Sequence, residues 1–133
     1  MSKESAITAA FRNEIREGVL PLSGRGIGDN NINEINKNLA QTQWLKELNL
    51  QGNKISDKGI ENLAKTLSSS NIQIETINLS NNKLSEKCIE PLAAVLRLAK
   101  GVRGIDMRGN GITSRVSKNK LKNSLNWMDI VFD

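Results

Sequence analysis

Apolar residues recur at a fixed spacing along this chain of 133 residues. The pattern LxxLxLxxNxL fits residues 45–55, 74–84 and 102–112, so one unit takes about 28 residues. Apolar and polar residues alternate at the centre of each segment, and this alternation predicts a short strand with one buried face. We therefore expect a series of similar strands, one in each unit.

The part of each unit that follows the strand carries apolar residues three and four positions apart. Residues 59–67 match residues 88–96 in this respect, and residues 31–39 precede them in register. Such spacing marks one face of a helix. Because a strand and a helix recur together, each unit needs its neighbours to bury its apolar side chains, which predicts a stacked repeat protein of the α/β class.

These paired repeats resemble the leucine-rich repeat family, and specifically its ribonuclease-inhibitor-like subclass, over residues 17–131. The resemblance implies a right-handed solenoid, a short horseshoe with parallel strands on the concave side and helices on the convex side. It also implies a non-catalytic module for protein–protein interaction, which binds a protein partner through the concave strand face and its rims.

We interpret residues 1–133 as a single domain with a cap at its start. Residues 1–18 predict an N-terminal capping helix that stops at Gly18, residues 19–124 hold about four repeats, and residues 125–133 form a terminal strand. The last repeat is shortened, so a short helix or irregular coil is expected there. The terminal strand either stays an edge or pairs with another chain, which leaves a monomer and an edge-strand homodimer both open.

Asparagine ends the strand half of three units, at Asn53, Asn82 and Asn110. A carboxamide can accept a hydrogen bond from one backbone amide and donate to a carbonyl, so asparagines stacked at a turn can form a ladder. We predict a structural role for these three residues. Arg25 occupies the equivalent position of the first unit and departs from the pattern.

The alternation also predicts which strand side chains point outward on the concave face. Most of them are small and polar, whereas binding energy at interfaces concentrates in Trp, Tyr and Arg. Arg108 and Trp127 are therefore the predicted anchors, although Trp127 could equally seal the last strand. The predicted partner-binding residues are Glu47, Asn49, Gln51, Asn78, Asp106, Arg108, Trp127 and Asp129.

The net charge of +5 comes from residues 97–122, in which Asp106 is the one acid. Such a basic patch attracts an acidic protein surface. The alternative function is binding of nucleic acid or an anionic lipid, and without any partner the patch is a solvated rim of the solenoid. With 3% aromatic residues and no known binding module, the chain is not expected to prefer nucleic acid. The predicted patch, apart from Arg108, is Arg97, Lys100, Arg103, Arg115, Lys118, Lys120 and Lys122.

The chain has no histidine, which excludes Ser-His-Asp and Cys-His nucleophile systems and imidazole metal sites. Cys88 matches Gly59 at a core-facing helix start, which favours a small buried side chain over a nucleophile. The glycines of residues 24–28 lack the spacing of a phosphate-binding loop. We predict no enzymatic activity, no cofactor and no metal.

A single cysteine excludes an intrachain disulfide, and we find no signal peptide and no transmembrane segment, so the expected location is the cytoplasm. The 17 asparagines and 14 isoleucines are typical of an AT-rich genome. Together with a repeat of eukaryotic type, they favour a further hypothesis, a secreted bacterial effector that acts in the host cytosol.

Overall fold

Strands and helices alternate in the computed structural model, which describes residues 4–99 and 101–133. Within that part of the chain the strands are β1 (Val19–Pro21), β2 (Trp44–Asn49), β3 (Gln73–Asn78), β4 (Gly104–Asp106) and β5 (Asp129–Val131). The helices are α1 (Ala6–Asn13), α2 (Ile32–Ala40), α3 (Asp57–Ser69), α4 (Ile89–Val95) and α5 (Arg115–Ser124). None of these described helices is long and apolar enough to cross a membrane.

The strands form one sheet in sequence order, and every neighbouring pair is parallel. Equivalent positions of successive units lie side by side, so the Cα atom of Thr76 pairs with those of Glu47 and Gly104. A parallel pair needs a crossover connection between its strands, and the helix half of each unit supplies it. The predicted α/β class is confirmed.

One apolar row crosses the whole sheet and forms the centre of the core. Successive side chains of a strand point to opposite faces of the sheet, and this row lies on the buried face. Burial of each of these side chains contributes about 1.5–3 kcal/mol. Helix residues such as Ile35, Leu63 and Leu92 belong to the same core cluster. The row consists of Leu20, Leu48, Ile77, Ile105 and Ile130.

Helix α1 packs against the first unit through Ile7 and Ala10, which are buried. Ser5 caps the helix by accepting a hydrogen bond from the backbone amide of Thr8, whose hydroxyl donates to Glu34 of α2 at 2.6 Å. The helix ends at Asn13, earlier than the stop expected at Gly18. The chain must reverse direction to enter β1, and residues 14–18 are used for this reversal.

The shortened last unit contains a regular helix, α5, although its apolar stripe is incomplete. Ser114 caps it by accepting a hydrogen bond from the Ser117 amide at 3.2 Å, and Leu121 is its buried residue. An ion pair between Lys120 and Glu90 of α4 adds a second attachment. A good cap, one buried leucine and helix-forming lysines therefore suffice for a helix where the sequence left coil open.

Candidate functional site

The three predicted asparagines lie at equivalent turns, where their carboxamides connect neighbouring units. The Oδ1 atom of Asn53 accepts hydrogen bonds from the amides of Arg25 (3.0 Å) and Ile27 (2.9 Å), and its Nδ2 atom donates to the carbonyls of Leu22 and Leu50. Asn82 and Asn110, one and two units further on, likewise donate to two carbonyls each; Asn110 accepts from two amides and Asn82 from the amide of Ile55. Each carboxamide thus provides hydrogen-bond partners for backbone amides and carbonyls in the turns, where no neighbouring strand pairs with them.

Arg25, which interrupts the asparagine pattern, has a different contact. Its guanidinium forms an ion pair with Glu14, just after α1, at 2.5 Å. This bond lowers the pKa of the Glu14 carboxyl below its usual value of 4.5. The first unit therefore uses this position to attach the N-terminal helix.

A second ladder, made of carboxylates, was not predicted from the sequence. Asp29 accepts hydrogen bonds from the amide and hydroxyl of Ser56, and Asp57 does the same for Ser85 one unit later. Glu86 accepts from the amides of Thr113 (2.6 Å) and Ser114 (2.9 Å). Each carboxylate thus binds the residues just before the next unit's helix, where backbone amides have no partner within the helix. Acids recurring about 28 residues apart at the helix starts were the available signal.

Glu86 gives this ladder a measurable pH dependence. The amides of Ser114 and then Thr113 lower the pKa of the Glu86 carboxyl from 4.5. A depressed pKa means that the stabilisation is present above about pH 4.5 and is lost as the pH falls through the folded-state pKa. We expect the stability difference between the wild type and Glu86→Gln to shrink below pH 4.5. Chemical denaturation across pH 3–7 measures it, with Glu61→Gln on α3 as the matched control; a difference independent of pH would contradict the ladder.

The open sheet face, here defined as Glu47, Asn49, Thr76, Asn78, Gly104, Asp106, Asp129 and Val131, is the outward side of the central strands. These residues form two rows across β2 to β5. Gly104 interrupts the first row, and its missing side chain leaves a notch between Thr76 and Asp129. The notch has a volume of about 190 Å³, and its carboxylates are Glu47, Asp106 and Asp129.

The polar residues of the second row bond within their own strands. Asn49 accepts a hydrogen bond from the Gln51 amide (3.1 Å), Asn78 from the Ser80 amide (3.0 Å), and Asp106 from the Arg108 amide (3.1 Å). Asn and Asp commonly stabilise turns by bonding to the residue two positions later. These three predicted partner-binding residues therefore stabilise the turns that follow their strands. The predicted residues Gln51 and Arg108 take part in the same hydrogen bonds through their backbone amides.

Arg108 also binds Asp106 through its side chain. Its guanidinium donates to both carboxylate oxygens, at 3.1 and 2.7 Å. This pair lowers the pKa of the Asp106 carboxyl and raises that of Arg108. Asp106 thus has a partner, whereas the ion pairs within residues 4–99 and 101–133 include neither Glu47 nor Asp129.

The structure does not bring Trp127 and Arg108 together. Trp127 lies in the turn before β5 rather than on the strand, because Ile130 pairs with Ile105 in the row of Leu48, two positions from the predicted register. A shift of two residues keeps every side chain on the same face, so Asp129 stays on the open sheet face while Trp127 leaves it. Arg108 follows the opposite end of the neighbouring strand.

The predicted basic patch also divides. Four members lie on α5, where Lys120 is paired with Glu90. The Nζ atoms of Lys118 and Lys122 each lie 5.8 Å from the centroid of the Phe132 ring. Arg97 and Arg103 lie near the opposite ends of the segment that joins α4 to β4. Lys100 lies outside the described residues. That these residues form one basic surface stays a prediction.

Cys88 is buried at the start of the third unit's helix. Burial, and secondarily the charge of Asp57, raises the pKa of its thiol to about 12. Because the thiolate is the nucleophile, a thiol that stays protonated at neutral pH is unreactive.

Two family models match the chain, one described as Leucine Rich repeat at residues 41–64 and one as Leucine Rich Repeat at residues 73–94. These matches support a leucine-rich repeat family. Both matched segments contribute residues to the open sheet face. The ribonuclease-inhibitor-like subclass stays a prediction, and no curated protein matched the sequence.

Two solved structures share the fold of this chain. "Leiomodin-1 Actin-Binding Site 2" has a TM-score of 0.75 and 12% identity, with 96% of this chain and 76% of that chain covered. The tropomodulin C-terminal domain of Caenorhabditis elegans has a TM-score of 0.64 and 11% identity, with 92% and 93% covered. At such low identities the likeness shows the fold alone.

Proposed function

We propose that this chain is a non-catalytic protein-interaction module, a short right-handed solenoid with its helices on the convex side and the open sheet face on the concave side. The leucine-rich repeat matches support this role, as does the likeness to actin-binding site 2 of leiomodin-1. The partner binds to the open sheet face. The observation that carries this proposal is the notch at Gly104 with its carboxylates.

The chemistry of the notch favours a basic side chain of a partner protein. Glu47 and Asp129 flank the notch on either side of Thr76 and Gly104 in the same row of the sheet. A lysine or arginine of the partner would enter beside Gly104 and place its charge between these carboxylates. Charge complementarity of this kind fixes the register of a complex and speeds its formation.

Affinity capture with a charge-reversed face tests the proposal. The variant Glu47→Lys with Asp129→Lys is expected to recover about tenfold less of the protein captured by the wild type, because both carboxylates then repel the basic partner. The matched control, Glu4→Lys with Glu61→Lys, reverses two carboxylates that lie outside the open sheet face and is expected to capture as the wild type does. Equal capture by both variants, measured by quantitative mass spectrometry, would contradict the proposal.

A further inference from the structure

Both tryptophans of the chain lie where strands begin, at what we call the amino edge of the sheet: Trp44, Gln73, Leu98, Gly101, Arg103 and Trp127. Trp44 is the first residue of β2 and Trp127 lies two residues before β5. Their exposed fractions are 49% and 41%, and that of Leu98 is 64%. Trp and Arg are the residue types that most often dominate binding energy. The open sheet face contains neither of these two types.

Trp44 is held in position before any partner arrives. Its indole Nε1 atom donates a hydrogen bond to the Glu75 carboxylate at 3.0 Å. Its ring covers Gly18, where an added Cβ atom would lie 2.5 Å from the ring. A half-exposed aromatic ring that is already fixed loses little conformational entropy when it binds, which favours its use as an anchor.

A cavity lies between the two tryptophans in strand order. It has a volume of about 190 Å³ and is lined in part by Ser70, Gln73, Leu98 and Gly101. Gln73 occupies the space that a side chain at position 101 would need, and the glycine there leaves this space to it. Three strand spacings, about 14 Å in all, separate β2, which begins at Trp44, from β5, which follows Trp127. A short protein segment can contact both tryptophans.

The charges of this edge select the chemistry of that segment. Lys46, Arg97 and Arg103 are exposed bases. The Glu75 carboxylate already accepts the Trp44 indole hydrogen bond, and the exposed acids here are Glu17 and Asp129, of which Asp129 belongs to the open sheet face. The backbone carbonyl of Arg103 accepts from the Asp129 amide at 2.7 Å, which fixes its position beside the turn that carries Trp127. Three exposed bases thus lie around the aromatic anchors, against two exposed acids and one acid that is already hydrogen-bonded.

We propose that the amino edge binds an acidic protein segment whose aromatic or aliphatic side chains pack against Trp44 and Trp127. Carboxylates of the segment pair with Arg103 and Lys46, and the cavity beside Leu98 receives one of its side chains. This surface is separate from the open sheet face, which is acidic and selects a basic partner. The proposal therefore stands or falls independently of the function proposed above.

Selection from a phage-displayed library of random 12-residue peptides tests the amino edge. The immobilised full chain is expected to enrich peptides that combine Asp or Glu with Phe, Leu or Ile. Because the chain has two tryptophans, its NMR spectrum contains two indole N–H signals, and both are expected to shift saturably when the best synthetic peptide is added. Arg103→Glu is expected to weaken binding about tenfold, while the matched control Arg115→Glu on α5 leaves the affinity unchanged.

Four outcomes would overturn the proposal. They are no enrichment of any peptide, enrichment of basic peptides, indole signals that stay in place while amides of the open sheet face shift, and equal affinity of Arg103→Glu and the wild type. Circular dichroism of Arg103→Glu verifies that the variant is folded. Peptide binding at the amino edge does not depend on whether the variant with Glu47→Lys and Asp129→Lys loses capture of the partner of the open sheet face. The two proposals can therefore fail separately.

Discussion

Replacing Asn53 by alanine is expected to lower the free energy of unfolding by about 3 kcal/mol. The side chain is 6% exposed and serves two amides and two carbonyls of neighbouring turns. An unsatisfied buried backbone group costs about 1–3 kcal/mol, and partial access of water to the turn reduces the sum. Urea denaturation followed by circular dichroism measures the change.

Two further variants show whether the hydrogen bonds are the cause. Asn53→Asp keeps the acceptor for the amides of Arg25 and Ile27, but its carboxylate has no donor for the carbonyls of Leu22 and Leu50. Its loss should therefore become smaller at low pH, where the protonated carboxyl regains one O–H donor, and should then lie between those of the wild type and Asn53→Ala. Asn33→Ala, on the exposed side of α2, removes a carboxamide outside the ladder and should change the stability by about 0.5 kcal/mol or less. Equal losses for Asn53→Ala and Asn33→Ala would show that the ladder adds no stability.

The second large effect is expected in the buried row of the sheet. Ile77→Ala should cost about 4 kcal/mol and Ile130→Ala about 2 kcal/mol, although the chemical change is identical. Ile77 has row neighbours on both sides, Leu48 and Ile105, whereas Ile130 pairs with Ile105 on one side of the described sheet. The central site cannot collapse around the lost atoms, while the edge strand can move inward.

Denaturant unfolding of both variants, with the slope of the transition compared to the wild type, measures this difference. Repeat proteins gain stability mainly between nearest neighbours, so the position of a unit should determine the loss. Equal losses at the two positions would contradict this nearest-neighbour description. A shallower transition for Ile130→Ala alone would indicate that the last unit separates first.

The repeat spacing predicted the strands well because it follows directly from which side chains must be buried. Leu48 and Ile77 are apolar at equivalent positions, and the structure pairs them. The same argument failed at Trp127, since Met128 and Ile130 fit the apolar template in two registers. The structure adopts the register that leaves residues 125–128 for the turn after α5. Apolar alternation fixes the face of a strand but not its register along the sheet.

The polar contacts were less accessible to sequence reasoning. Asn53 stood out because an amide side chain inside a repeated apolar pattern needs an explanation. Asp57 and Glu86 did not, because acids are common at the first turn of any helix, and their bonds to the next unit depend on how units stack. The charges of Arg103 and Lys118 were likewise grouped by sequence, although one lies before β4 and the other on α5.

Gly104 provides the most direct measurement of partner binding at the open sheet face. An added Cβ atom at this position would lie 3.5 Å or more from its neighbours, so the fold accepts a side chain there. Gly104→Leu fills the notch, and isothermal titration with the protein captured by the wild type is predicted to show a Kd raised at least about tenfold with an unchanged urea midpoint. An unchanged Kd for the folded variant would contradict the account, because the partner would then bind elsewhere.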